Sequence, residues 1–595
     1  MAKNDNGDVS IAAGFNTTAS EYEANGRWTG GDKVRFYQGR AEKIGGWVKW
    51  NIDGTEVGAI CRSAMAWFDF SYNTWLCCGT SARLWVFDND KARYNITPYS
   101  STGTLANPFS TTNASTSVTV AHTSHGVSVG DYVNFSGASA VGGITVSGEY
   151  TVTTVVDADS YTITHSVAAS STAGPGGGAS VTYSYELPAG NVDFYSGGGW
   201  GLGTWGSGTW GTTRSSSTYL QYPRYWSLDK FGQYLIANPS GGGIYMWQNS
   251  SSSRAAVITN APTECQFAFV TSERMIVAIG TAGDLMQIQW CDQNDVTIWA
   301  AAATNTANTR KLMGGSRLIA GARVGQQVNM IWSDTSAHLM QWTGDNNVYS
   351  TRIVATNCGI AGPGAFIVVN GQPFWMSEFA FYTYTGGVSA VPRSDEIADI
   401  FLSMTQTQKA KTTCHYNSKF NEVWWSYPST NAAEPDSYIA VCLDDYSWFT
   451  GTIDRGAWTE SHVNGITTLF GIDAIGAIYE HEYGTDADGE AIDWWIESGF
   501  FDIGSGDTSM NIDGYIPDFK RQTGAIDITF SSKDYPDDTA TLDIVTKSIA
   551  ETDSIADFRH FGRQVRFMLS QTGVIGGDFR LGADRIEATA SGARR

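Results

Sequence analysis

Apolar positions along this chain fall in short runs rather than on helical faces. Most runs are rich in β-branched and aromatic residues and are cut by Gly, Asn, Asp and Ser, the pattern of strands separated by tight turns. The best helical candidate is residues 394–408 (SDEIADIFLSMTQTQ), where Ile397, Ile400, Phe401 and Met404 recur at i, i+3, i+4 and i+7. Ser394 supplies an N-cap, and Asp395 and Glu396 supply first-turn acids. The spacing predicts a helix there and an all-β protein elsewhere.

The runs pair into a recurring unit: an aromatic-rich strand, a small turn, and a second strand ending in Trp or Tyr. It occurs at residues 74–87 (TWLCCGTSARLWVF), 234–247 (YLIANPSGGGIYMW), 275–290 (MIVAIGTAGDLMQIQW) and 328–342 (VNMIWSDTSAHLMQW). It returns at 373–384, 422–449 and 466–483. From Tyr234 onward the units begin about 40 to 50 residues apart, the period of a β-propeller blade. Blades are covered on both sides, which accounts for strands apolar on both faces. The sequence predicts an all-β fold containing a propeller of six or seven blades.

Two segments interrupt the period. Residues 103–186 are Ser/Thr/Gly-rich and almost free of Trp, with about four alternating strands and a PGGG stretch at 175–178 that reads as a linker. This segment is expected to be an inserted small β-barrel or sandwich. Residues 197–211 (GGGWGLGTWGSGTWG) place Trp200, Trp205 and Trp210 at five-residue steps in a Gly-rich loop. The aromatic triplet is either an exposed platform for a sugar, lipid headgroup or partner, or an anchor packed into blades or a neighbouring subunit. The resulting organisation is an N-terminal arm with the first blade (1–102), the insert (103–186), the remaining blades (187–485) and a C-terminal β-sandwich or platform domain (486–595).

Charge sharpens this picture. The formal net charge is −22, with 59 Asp and Glu against 37 Lys and Arg. Residues 395–553 hold 29 acids and 8 bases, leaving 30 acids and 29 bases elsewhere, so the acidity belongs to the last third. A protein that grips nucleic acid by its phosphates needs the opposite sign. The N-terminus has no apolar signal-like region, and no stretch is long and apolar enough to suggest a membrane span. The eight cysteines (Cys61, Cys77, Cys78, Cys265, Cys291, Cys358, Cys414, Cys442) are scattered without CxxC spacing and read as buried thiols.

No constellation for chemistry stands out. His122 and His125 lie three apart in a Gly/Ser loop without a third ligand nearby, so no metal or cofactor is expected. Candidate hydrolytic carboxylates are Glu378, Glu422, Asp473 and the adjacent Asp444 and Asp445, which read as a turn before Tyr446. The repeated S-x-D-x-G-x-T-W box of sialidase propellers is missing, as is an evident Arg triad. The chain is expected not to be an enzyme.

The order of features resembles the tail nozzle (tail hub) proteins of short-tailed bacteriophages, also called packaged-DNA stabilisation proteins. The resemblance rests on the Gly-aromatic ladder at 199–211, on WSLDKFG at 226–232 and on NPSGGGIYMW at 238–247. It is reinforced by GRWT at 26–29, KVRF at 33–36, EKIGGW at 42–47 and RQVRF at 563–567. It implies a structural virion protein of the tail, assembled in the host cytoplasm. Six copies would form a homohexameric ring below the head-to-tail adaptor, conducting double-stranded DNA without adhering to it and meeting tail fibres or spikes. The alternative is a tail propeller that binds or cleaves host-envelope glycans. Under the nozzle reading, Asp444, Asp445, Asp473, Asp486 and Asp488 become candidate channel-facing acids, which would keep a polyanion mobile. The rival role of the acidic third is solubility. Arg27, Arg35, Arg40, Arg563 and Arg566 become candidate contacts to neighbouring subunits or the adaptor, with surface solvation as the alternative.

Overall fold

The computed structural model describes residues 5–8, 11–194, 222–281, 283–345, 347–463, 466–502, 508–538 and 543–593. It is an all-β protein, as the strand pattern predicts. None of its described helices is long and apolar enough to cross a membrane. The chain divides into two compact units, Met1–Trp67 with Leu285–Gln287 and Lys311–Arg595, and Phe68–Asp284 with Ile288–Arg310.

The first unit contains four antiparallel four-stranded sheets in sequence order. They begin with Leu318–Gly325, Phe366–Val369, Thr413–Asn417 and Ala457–Val463. Three are plain meanders. The fourth takes its outer strand, Trp47–Lys49, from the other end of the chain: Tyr479 faces Lys49 and His481 faces Trp47. Large indoles hold successive sheets together. Trp375 Nε1 donates to Cys358 O at 2.8 Å, Trp425 Nε1 to Ala365 O at 3.2 Å and Trp458 Nε1 to Ser426 Oγ at 2.9 Å. A buried indole contributes a large apolar surface but must place its one N–H on an acceptor, so each bond fixes how a sheet meets its neighbour.

Three further sheets of the same unit carry the remaining pattern. A six-stranded sheet orders Ala12–Phe15, Arg27–Asp32, Trp494–Ser498, Gln564–Gln571, Ile526–Lys533 and Asp543–Ile549. A four-stranded sheet joins Val34–Tyr37 and Arg40–Lys43 to Asp578–Leu581 and Phe519–Thr523, and another sets Asp5–Asp8 beside Arg585–Ala593. The arm expected to accompany a first blade is therefore woven into the C-terminal sheets, through pairings more than 450 residues apart such as Gly31 with Ile496. One apolar core, including Phe15, Trp28, Phe36, Trp494, Ile528 and Phe567, joins arm and C-terminal strands.

The expected helix is a 3-10 segment, Ser394–Leu402, with no side-chain cap. Its carbonyl at Glu396 accepts the amides of Thr17 (2.8 Å) and Thr18 (3.2 Å), and Ile397 has φ −127°. The arm takes an acceptor that a regular α-helix needs internally, while Ile397, Ile400 and Phe401 remain buried as the periodicity indicates.

The second unit carries three sheets of the repeating pattern, through Thr74–Thr80, Tyr234–Pro239 and Ile276–Ile279. Between the first two lies the insert. Its eight strands, running from Tyr99–Leu105 to Val181–Glu186, enclose a core of their own made from residues such as Phe109, Val133, Phe135, Tyr161, Ile163 and Tyr185. The PGGG stretch is not a linker. Ala173–Gly176 is a strand pairing with Phe109–Thr111, and added side chains there would meet neighbours: a Cβ on Gly177 would sit 2.7 Å from the Phe109 ring. The glycines serve close packing.

Candidate functional site

The first concentration of chemistry surrounds Arg35. Strand Val34–Tyr37 carries it into the core, fully shielded from solvent, where Nε lies 3.4 Å from Glu422 Oε1 and Nη2 contacts Glu482. The Phe420 ring stacks 3.8 Å from its guanidinium carbon. Glu422 also accepts Trp424 Nε1 at 2.9 Å, and Glu482 accepts Asn417 Nδ2 at 3.0 Å. Burial raises Glu422 to about 7 despite the opposing pull of Arg35. Burial works against the Arg35 charge, but Glu422 and Glu482 more than restore it and hold the guanidinium above its ordinary value. Nearby, Glu42 lies 3.5 Å from both Arg521 and Arg580, and buried Lys43, lowered to about 8 by desolvation, donates to Thr485 O at 2.5 Å. This arrangement clamps the arm hairpin against Glu422–Tyr427 and the turn after Ile478–His481. Glu422 is sealed at 0% exposure and is a buried counter-ion, not the hydrolytic carboxylate expected from the sequence.

Nor is Arg35 the contact to a neighbouring subunit or adaptor that was expected. Its charge is consumed inside the chain and has no surface to present to another subunit. Arg27 makes a bidentate pair with Glu396, with its shorter contact at 2.5 Å, and Arg566 pairs with Glu21 and Glu497 at 3.3 and 3.0 Å. Arg40 donates to Gly582 O at 2.7 Å, and Arg563 lies 5.3 Å from the Tyr535 ring. Among the acids, Asp473 is buried and caps its turn by accepting the amides of Ile475 and Ala477, so it cannot face a channel. Asp444 and Asp445 sit exposed in a turn, where they accept Asn421 Nδ2 at 2.6 Å and the Ser447 amide at 2.9 Å. Asp486 and Asp488 accept the amides of Gly489 and Lys49. Glu378 is exposed beside Lys409. Trp200, Trp205 and Trp210 lie outside the described residues.

The second concentration lies on the insert. His122 Nδ1 is 2.6 Å from Tyr185 OH, whose oxygen is 3.0 Å from Tyr161 OH. The His122 ring lies 4.6 Å from Tyr183, and His125 meets Tyr161 edge-on at 5.0 Å. Desolvation lowers His122 and pushes Tyr185 up to about 12, keeping both neutral near pH 7. His122, Tyr183 and His125 remain half-exposed, so the cluster offers ring faces backed by a fixed hydroxyl relay. The alternation of Tyr183 and Tyr185, which puts both on one face of a strand, was the available signal. His122 and His125 serve this cluster, and among the described residues no group of three His, Cys, Asp or Glu side chains is placed to hold a metal.

At the root of the insert, Glu186 accepts Arg83 Nε and Arg254 Nη2, each at 2.9 Å, and Asn95 Nδ2 at 3.0 Å. Arg83 also reaches Glu149 at 2.6 Å and stacks 3.6 Å from Tyr132. Two arginines thus bolt a glutamate at the end of the insert to its host sheet.

Residues 103–180 match the family model described as the beta barrel domain of bacteriophage endosialidase. No curated protein sequence matches the chain. Among solved structures the chain is similar to the phage phi92 endosialidase at 10% identity and a TM-score of 0.16, over 83% of this chain. It spans 64% of that protein's length.

Proposed function

We propose that this chain is a structural protein of a bacteriophage tail, a ring-forming nozzle that carries the insert as an outward module and has no catalysis of its own. The observation that carries the tail assignment is the phage β-barrel domain recognised at residues 103–180. The nozzle assignment rests on the motif order given above. Many of those motif residues are structural: Trp226 and Trp247 are buried, and Asn238 donates to the carbonyls of Pro239, Gly242 and Gly243. The repeated four-stranded sheets, the last completed by Trp47–Lys49, support a propeller, because a ring of blades is held shut when a distant strand completes its final sheet. In this reading the protein sits in the virion tail after assembly in the host cytoplasm. It contacts a head-to-tail adaptor and fibres, and passes DNA without gripping it. Negative-stain microscopy of the purified protein tests this: sixfold rings are expected, and a monodisperse monomer at assembly concentrations overturns it.

The half-exposed His122 and Tyr183 rings on a domain related to a glycan-cleaving phage enzyme favour a second reading, in which the tail protein binds or cleaves envelope glycans. Release of reducing sugar from host polysaccharide by the purified protein would support it over the nozzle.

A further inference from the structure

Three neighbouring hairpin tips of the second unit expose large apolar side chains together with cations. Phe70 and Tyr72 are 77% and 79% exposed, and Phe68 is 46% exposed. Asp69 fixes this tip from inside: Oδ1 accepts the amides of Ser71 (2.8 Å) and Asn73 (3.0 Å), and Oδ2 accepts Asn73 Nδ2 (3.0 Å) and Trp75 Nε1 (3.2 Å). Phe68 and Tyr72 stack with centroids 6.4 Å apart.

The adjoining tips lock onto the first. The Phe70 amide donates to Gln233 Oε1 at 3.1 Å, and Lys230 Nζ stands 5.5 Å from the Phe68 ring. The Arg274 guanidinium lies 5.4 Å from the Phe231 ring, and Asp229 Oδ2 accepts the Val270 amide at 2.7 Å. The acids of these turns are engaged locally: Asp69 and Asp229 accept backbone amides, and Glu273 is 9% exposed and accepts Ser272 Oγ at 2.5 Å. Lys230 and Arg274 remain exposed.

We propose that the tips at residues 68–73, 230–233 and 271–275 form a docking face for an acidic polysaccharide. Flat rings on a rigid turn stack against the C–H faces of sugars, and sparse cations beside them meet one carboxylate per sugar or two. Two cations cannot neutralise the dense phosphates of a duplex. Four aromatic rings without the cations would suit an apolar peptide; Lys230 and Arg274, exposed beside them while Asp69, Asp229 and Glu273 are engaged within the turns, select a negatively charged partner. The face is separate from the His122 cluster and does not depend on the nozzle reading.

The test is biolayer interferometry of the full-length protein on immobilised polygalacturonate and hyaluronate, with dextran and single-stranded DNA as comparisons. The wild type is expected to bind at least one acidic polymer and not dextran. Phe70→Ala with Tyr72→Ala, and separately Lys230→Gln with Arg274→Gln, should each weaken that binding ~10-fold or more with an unchanged melting midpoint. No binding to either acidic polymer, equal binding by both double variants, or a preference for DNA overturns the proposal. So does a concentration-dependent self-association that the aromatic double variant abolishes, which would make a second copy the occupant.

Discussion

Arg35 Nε lies 3.4 Å from Glu422 Oε1, with the two side chains 0% and 1% exposed. A pair this deep adds little net stability over an apolar replacement, yet removing one partner strands the other charge in the core. Arg35→Ala should therefore lower unfolding free energy by about 3–5 kcal/mol, read from urea midpoints at constant slope. The double change Arg35→Met with Glu422→Leu should recover part of that loss, because Glu482 still loses its cation. Equal destabilisation by single and double variants would show that the guanidinium matters through packing rather than charge.

The same pair sets a pH dependence. Glu422 is pushed up to about 7 in the folded chain from an ordinary 4.5. Between those values the folded state holds a proton that the unfolded state has released, so this group makes stability fall as pH rises from about 4.5 to 7. The full effect is on the order of 3 kcal/mol. Buried His415, lowered to about 3 by desolvation, has the opposite sign: its unfolded form takes up a proton below about 6.5, so stability falls as pH drops toward 3. Comparing wild type with Glu422→Gln across pH 4.5 to 7 isolates the carboxylate. A flatter profile in the variant is expected, and superimposable slopes would exclude Glu422 as the source.

Trp458 gives a smaller and cleaner test. Its indole donates to Ser426 Oγ at 2.9 Å, and its ring stacks 4.1 Å from His415. Ser426→Ala, which leaves the buried N–H without this acceptor, should cost about 1–3 kcal/mol. Trp458→Ala, which also opens a cavity, should cost about 3–5 kcal/mol. Thermal and urea denaturation of both variants checks the order, and a neutral Ser426→Ala would mean the bond adds nothing.

These contacts show which features local sequence could reveal. The recurrence of aromatic-rich hairpins marked the repeating sheets, because all of these but the last are built from consecutive strands. The insert's strands, from Tyr99–Leu105 to Val181–Glu186, lie in the Ser/Thr/Gly-rich, Trp-poor stretch of the sequence. Arm pairings such as Gly31 with Ile496 carry no local mark, so the burial of Arg35 could not be foreseen from KVRF alone. The 3-10 segment at Ser394–Leu402 followed the same logic: its apolar spacing was helical, but a distant strand took the Glu396 carbonyl. On the insert, His122 and Tyr185 lie 63 residues apart in sequence, and only the folded sheet brings them together.

The insert should be separable from its host sheet. Its first and last strands pair so that Tyr99 faces Glu186, and the Leu187 amide donates to Pro98 O at 2.9 Å. Entry and exit are therefore already adjacent, and the core from Phe109 to Tyr185 is supplied by the insert itself. Replacing Ser101–Tyr185 by a short Gly-rich turn keeps Glu186 against Arg83 and Arg254 and removes from the root the Glu149 and Tyr132 contacts and the Ser100 Oγ bond to Tyr185 O. The shortened chain should fold with its melting midpoint lowered by only a few degrees, since the closure entropy of a surface loop varies slowly with its length. The excised segment 99–186 should fold alone with a cooperative transition, being large enough to bury an independent core. In the full chain, Glu186→Ala should leave the barrel intact while hydrogen exchange accelerates at Tyr99–Leu105 and the host strand Leu84–Phe87. If the excised segment shows no cooperative melting, or its removal unfolds the remainder, the barrel and its host form one folding unit and the modular reading is wrong.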